Sequence, residues 1–229
     1  MHYEKHLRDA ATKHRALQIS NYTTLKAMSK EILYLLLPEY ADHEAAYLTQ
    51  AIASDELSIK EYPKYTNKVL APTMAPVKSI GGFRTMPDYS FETMPDNYAA
   101  LVLVGGFGWK MPLADQVAPV VQKAMTEGKI VGAICNAASF MARHGFLNHV
   151  RHTGNGIEQL RIWGGDNYTN QTGYIHSQAV SDGNIVTANG SAALEFAKEL
   201  LLLLENDTPD KINMFYQFNK QGFCTLFPE

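Results

Sequence analysis

Of the two cysteines in the chain, Cys135 stands where a sulfur could be made reactive. Residues 129–142 read Lys-Ile-Val-Gly-Ala-Ile-Cys-Asn-Ala-Ala-Ser-Phe-Met-Ala. The part before Cys135 is a short apolar run, which predicts a strand buried on both faces. The part after it has helical composition. A strand that passes into a helix within one or two residues must bend sharply, and the residue at the bend is held in strained geometry among small neighbours. Gly132, Ala133, Ala137 and Ala138 meet that need. The pattern is a nucleophile elbow carrying sulfur in place of oxygen. Backbone N–H groups at a helix start carry partial positive charge, so a thiolate there is stabilised and its pKa is expected below the free value of about 8.5. The N–H of Asn136 would face any oxyanion formed on a substrate held at Cys135. The competing reading is a small buried cysteine packed like an alanine.

Such an elbow needs a sheet to carry it. Residues 31–37 form a near-continuous apolar run that ends at Pro38. Asp42 is then predicted to cap a helix with Ala45, Ala46, Leu48, Ile52 and Leu57 along its apolar side. Shorter β-like pieces follow at 68–72 and 77–80. Residues 99–104 form a second buried strand, running into Gly105-Gly106. A helix is predicted over 113–127, closed by Gly128, and the elbow strand comes next. Beyond the elbow, a short helix is expected at 157–163, strands at 174–176 and 184–187, and helices at 192–204 and 211–218. Apolar strands alternating with helices predict an α/β fold with a mostly parallel central sheet covered on both faces. In such sheets the ligand crevice lies outside the carboxyl ends of the central strands. Three features fall at those ends: residues 38–44, Gly105-Gly106, and Cys135. Residues 1–28 read as a peripheral N-terminal extension, and 29–229 as a single domain.

Composition excludes several classes. The net charge of −3 implies neither nucleic acid nor an anionic membrane as partner. The apolar run from Leu200 to Leu204 is too short to span a bilayer, and the N-terminal residues lack the apolar core of a secretory signal. Cys135 and Cys224 do not suggest a disulfide framework, so a reducing cytoplasm is expected. The histidines near the start form no tight pair on a convincing helix; no metal and no cofactor are expected.

Taken together, three stretches resemble the DJ-1/PfpI family, within the class I glutamine amidotransferase-like superfamily. They are Leu101-Val102-Leu103-Val104-Gly105-Gly106, the elbow from Gly132 to Ala137, and the late strand, turn and helix from Asp182 to Leu204. The resemblance covers about residues 30 to 205. It implies a flavodoxin-like three-layer sandwich, a homodimer, and a glutamate after the first strand close to the sulfur. Laying the first strand on the family pattern puts Glu44 at that position. A carboxyl beside a thiolate is repelled by it, so the expected arrangement is a protonated carboxyl donating to sulfur, with its own pKa raised. Gly106 resembles the second oxyanion donor, where a side chain would block substrate, and Gly105 adjoins it in the pocket. Trp109 is expected either to wall the pocket or to sit in the core. His152 is the best-placed general base by sequence, ahead of His144 and His149, although direct alignment falls on Thr153, one residue on and on the other face of a strand. Two departures matter. Peptidase-like members carry histidine where this chain has Asn136. Glutaminases carry glycine where it has Ala137, and a late His-x-Glu pair that it lacks.

The leading reading is a cysteine-dependent enzyme acting on a small carbonyl or acyl compound, glyoxalase- or deglycase-like or an amide or thioester hydrolase. Cys135 would be the nucleophile, Glu44 or His152 would move the proton, and Gly106 and Asn136 would hold the oxyanion. The alternative is a redox-responsive or holding-chaperone protein using the same sulfur. A third possibility is a binding protein whose pocket is no longer used.

Overall fold

The computed structural model describes residues 30–53 and 64–228. The predicted extension at 1–28 and the apolar residue Leu57 lie outside them.

Seven strands make the central sheet: β1 (Lys30–Leu35), β2 (Tyr65–Ala71), β5 (Tyr89–Ser90), β6 (Tyr98–Leu103), β7 (Ile130–Ile134), β8 (Ala179–Asp182) and β9 (Ile185–Ala188), in the order β5-β2-β1-β6-β7-β9-β8. All neighbours pair in parallel except β8 with β9. A small antiparallel pair, β3 (Val77–Lys78) and β4 (Arg84–Thr85), stands apart. The helices are α1 (Ala46–Ala53), α2 (Ala118–Thr126), α3 (Asn136–Arg143), α4 (Ile157–Gly164), α5 (Ala193–Leu203), α6 (Pro209–Gln221) and the short α7 (Phe223–Leu226).

The side chains of β1 show why the strands are apolar throughout. Ile32 and Tyr34 pack into one core with Phe196 and Leu200 of α5, while Leu33 and Leu35 pack into the other with Val121 of α2 and Phe140 of α3. Successive residues of a strand point to opposite faces, so a sheet with helices on both sides needs apolar residues at every position. This is the expected flavodoxin-like sandwich.

Several elements differ from expectation. Asp42 does not cap a helix. Its carboxylate accepts from the Gly81 N–H at 2.8 Å, residues 42–45 form turns, and α1 starts at Ala46. The helix expected over 113–127 is split: Pro112–Val117 is a 3-10 turn, with Pro119 in the first turn of α2. Residues 174–176 make no strand. Tyr174 forms a lone bridge with His152, and the edge strand is β8 instead.

Candidate functional site

Cys135 joins β7 to α3 at φ 61° and ψ −126°. A non-glycine residue in that region is strained, and surrounding structure must hold it there. Its backbone N–H is tied to Ala188 O of the neighbouring strand at 2.9 Å, and the α3 residues beyond it are buried from Asn136 to Ala142. Gly132 lies beneath, where a Cβ would meet Phe196 and Leu200 at 2.9 and 3.0 Å. The small residues at the bend thus let α3 and α5 close on β7.

The structure brings Glu44, Gly105 and Cys135 together. Glu44 is 2% exposed, and its carboxyl faces the Cys135 side chain and the Gly105 backbone. Its Oε2 is buried without a hydrogen-bond partner. Gly105 is the floor between them: a Cβ there would run into Glu44 Oε2 and lie 2.6 Å from Cys135 Cβ. Gly106 has φ 133°, where a side chain is strained and would also strike the backbone of Glu39 and Tyr40. The Gly105 carbonyl accepts from the Ala41 N–H at 3.0 Å. Across a planar trans peptide, the Gly106 N–H therefore points away from Ala41.

Asn136 contributes twice. Its backbone N–H favours negative charge on the sulfur. Its side chain donates to Gly106 O at 2.9 Å and accepts from Gln159 Nε2 at 2.8 Å. It thereby ties the two residues expected to hold an oxyanion to each other and to α4.

Two residues at the sulfur, Asn155 and Gly190, and His43 behind them, are absent from the sequence-predicted site. Asn155 donates from Nδ2 to Cys135 Sγ at 3.3 Å, and its Oδ1 accepts the Gly190 N–H at 2.9 Å. His43 donates from Nε2 to Gly190 O at 3.1 Å, since a carbonyl only accepts. Gly190 is gripped from both sides and passes so close to the sulfur that a Cβ would sit 2.8 Å from Sγ. The local signals were Asn155 and Gly190 in Gly- and Asn-rich loops, but nothing local pairs residues 35 positions apart.

His152 is not brought to the sulfur. It is wholly buried, donates from Nδ1 to Val150 O at 2.8 Å, and accepts at Nε2 from the Tyr168 hydroxyl at 2.6 Å. Burial lowers its pKa, so it stays neutral. Thr153 is equally committed, with its N–H on Thr187 Oγ1 and its hydroxyl on Ser177 O. Of the two roles weighed for Trp109, the structure gives the core: it is fully buried, donates to Val104 O at 2.7 Å, and packs on Phe140 with ring centroids 4.8 Å apart.

The electrostatics also differ from expectation. Burial pushes Glu44 up to about 7. The Cys135 thiol is raised rather than lowered, by burial first and the Glu44 charge second; the Asn155 amide and Asn136 N–H act against both and lose. A helix start stabilises a thiolate only while the sulfur remains near water and away from negative charge. The two groups titrate together. Below about pH 7 both hold protons. Above it, one proton is shared between them.

From the sulfur's flank a cleft of about 810 Å³ opens, lined by Asn155 and Gly190 and by Tyr174, His176, Gln178 and Ser191. Among the described residues, no three His, Cys, Asp or Glu side chains gather as metal ligands. None of the described helices is long and apolar enough to cross a membrane.

The sequence pattern of the DJ-1/PfpI family matches residues 30–203. The Bacillus subtilis protein YdeA, described as an uncharacterized protease, is 35% identical over 194 residues, covering 85% of this chain and 93% of its own. A second B. subtilis protein with that description, YoaZ, is 31% identical over 199 residues, covering 84% of this chain and 91% of its own. Among solved structures, the DJ-1 superfamily protein Atu0886 of Agrobacterium tumefaciens superposes with a TM-score of 0.74 at 32% identity, covering 84% of this chain and 98% of its own. A thiJ/pfpI family protein of Bacillus anthracis gives 0.79 at 28%, covering 86% and 93%.

Proposed function

Because the chain belongs to the DJ-1/PfpI family, we propose that it is a cysteine-dependent enzyme acting on a small carbonyl or acyl compound, with Cys135 as nucleophile and Glu44 as the group that moves the proton. The observation that carries this is Glu44 itself: an acid 2% exposed, beside the sulfur, with one oxygen unpartnered and its pKa raised to about 7. Burying a carboxyl this way costs stability unless something is gained elsewhere. A base is most effective when its pKa lies near the working pH.

The raised thiol fits a particular order of events. Cys135 attacks as a thiol whose proton passes to the Glu44 carboxylate while sulfur bonds to the carbonyl carbon. The C=O π pair moves to oxygen, toward the N–H groups of Gly106 and Asn136. Glu44 returns the proton to that oxygen for an aldehyde, or to the leaving group for an acyl compound. His152 has no part in this, because both its ring nitrogens are spent. Asn155 positions the sulfur and moves no proton, since an amide does not titrate in this range.

The word protease attached to YdeA and YoaZ is not carried over. The residue after the nucleophile is Asn136, whose side chain is occupied by Gly106 and Gln159. The redox-responsive reading is weakened by the raised thiol, because oxidation follows thiolate character. A cytoplasmic homodimer, which the family implies, completes the proposal; light scattering reads the oligomeric state.

The test is Cys135→Ser against a panel of aldehydes, esters and amides. At least a ~100-fold loss of turnover is expected. Retained turnover in the serine variant would remove the nucleophile from the scheme.

A further inference from the structure

The cleft beside the sulfur has a lining of one chemical character. Its side chains are those of Asn155, Tyr174, His176, Ser177, Gln178, Asn189 and Ser191, with three glycines between them. Among the described residues its lining includes no lysine, arginine, aspartate or glutamate, and Tyr174 is the one large hydrophobic surface. A phosphate or carboxylate would find no lysine or arginine among the described lining residues, and Glu44 lies just behind the cysteine. An alkyl chain would strip water from amides and hydroxyls and return nothing, at a cost for every group left unpaired.

The lining is also held in place before any ligand arrives. Asn189 donates from Nδ2 to Gln178 Oε1 at 2.5 Å, and its Oδ1 accepts from the Ser191 hydroxyl at 2.7 Å and the Ser191 N–H at 3.0 Å. With Oε1 committed, the Gln178 amide is fixed with Nε2 as a donor for something else. With its proton on Asn189, Ser191 Oγ is left as an acceptor. Fixed donors and acceptors beside an aromatic ring suit a molecule with many hydroxyls on one edge and C–H groups on its face.

We propose that this cleft binds an uncharged, polyhydroxylated carbonyl compound of about monosaccharide size, its hydroxyls read by Gln178, Ser191 and His176 and its C–H face laid on Tyr174. The cleft begins at Asn155, which donates to the sulfur, and at Gly190, which passes close to it, so a ligand seated there lies beside Cys135. The proposal rests on the cysteine reading for that last step only; the binding stands on the cleft.

The experiment is an NMR titration of the Cys135→Ala variant, which removes thiol chemistry, with D-ribose, D-ribose 5-phosphate and pentanal as probes. Ribose is expected to shift the backbone amides of residues 174–178 and 189–191 in a saturable way. Ribose 5-phosphate should bind roughly ten-fold more weakly for want of a cation, and pentanal should leave these amides unmoved. Gln178→Leu and Ser191→Ala, each checked as folded by its own spectrum, should weaken ribose about five-fold or more. No saturable ribose shift, a phosphate form that binds as tightly, or equal binding by both variants would overturn the proposal. If ribose binds but the unaltered protein turns over no hydroxyaldehyde, the cleft assignment stands and the cysteine scheme loses this substrate class.

Discussion

Two buried polar clusters, around His152 and around Glu44, are built on opposite principles. At His152 every polar atom has a partner: Nδ1 has Val150 O, Nε2 has the Tyr168 hydroxyl, and Val150 O takes a second bond from Asn170 Nδ2. At Glu44 a carboxyl oxygen is buried with none, pressed against a strained cysteine. A saturated network stabilises and resists change of protonation. An unsaturated one costs stability and is poised to change it. Residue type alone pointed the other way, since histidine is the usual proton carrier and a glutamate near a helix start is usually solvated.

The sharpest way to break the comparison is to remove the proton carrier while keeping its shape. Glu44→Gln should lower turnover on whichever small carbonyl or acyl substrate the protein accepts by roughly 10²- to 10⁴-fold. In the unaltered protein kcat/KM should rise with pH through about 7, where Glu44 loses its proton, and that limb should vanish in the variant. Full activity in Glu44→Gln would place the base elsewhere and leave the unpartnered oxygen without a role.

The converse change is His152→Ala. Leaving the Tyr168 hydroxyl without its partner, and opening a void at a fully buried position, should cost about 2–4 kcal/mol in urea unfolding. Turnover per folded molecule should stay within about two-fold. If turnover falls as far as for Glu44→Gln while the urea midpoint is unchanged, the two clusters have been assigned the wrong way round.

The sheet was legible because its signal is local. Buried parallel strands are apolar at every position, so β1, β6 and β7 stand out, and the elbow adds small residues at fixed places around Cys135. Glu44 was reached only through a resemblance, since the turn that carries it into the interior is set by Asp42 bonding to Gly81, far along the chain. The Asn155–Gly190 contact joins two loops that only the closed fold brings together. The thiol was read in the wrong direction for the same reason. The helix start is visible in sequence, but the burial and the neighbouring carboxylate that outweigh it are tertiary. Residues 174–176 misled through β-forming side chains in a segment that forms one bridge and then turns into the cleft wall.

The clusters also respond to pH with opposite sign. Glu44 has its ordinary value of 4.5 when unfolded and about 7 when folded. The folded chain binds this proton more tightly, so its stabilising effect is complete below pH 4.5 and is lost as pH rises through 7. That swing is worth up to about 3 kcal/mol. His152 is lowered from 6.5, so its contribution is complete above pH 6.5 and is lost as pH falls toward and below its folded value. Urea unfolding from pH 4.5 to 8 should therefore show Glu44→Gln gaining on the unaltered protein as pH rises. A constant difference between the two curves would mean that Glu44 is not held protonated by the fold.

The smallest effect tests the saturated cluster from its outer end. Tyr168 is 2% exposed, and its hydroxyl donates to His152 Nε2 at 2.6 Å. Tyr168→Phe keeps the ring, including its edge contact with His152 at a centroid distance of 5.4 Å, and removes only the donor. His152 Nε2 is then a buried acceptor with nothing to accept from, which should cost about 1–2 kcal/mol. The histidine could recover that bond in only one way, by shifting its proton to Nε2 and abandoning Val150 O, but phenylalanine offers no acceptor there, so the tautomer should stay as it is. The ¹⁵N shifts of the ring should keep Nδ1 protonated and Nε2 bare, with turnover unaffected. A ring that changes tautomer without loss of stability would show that the bond to Tyr168 was not what held His152 in place.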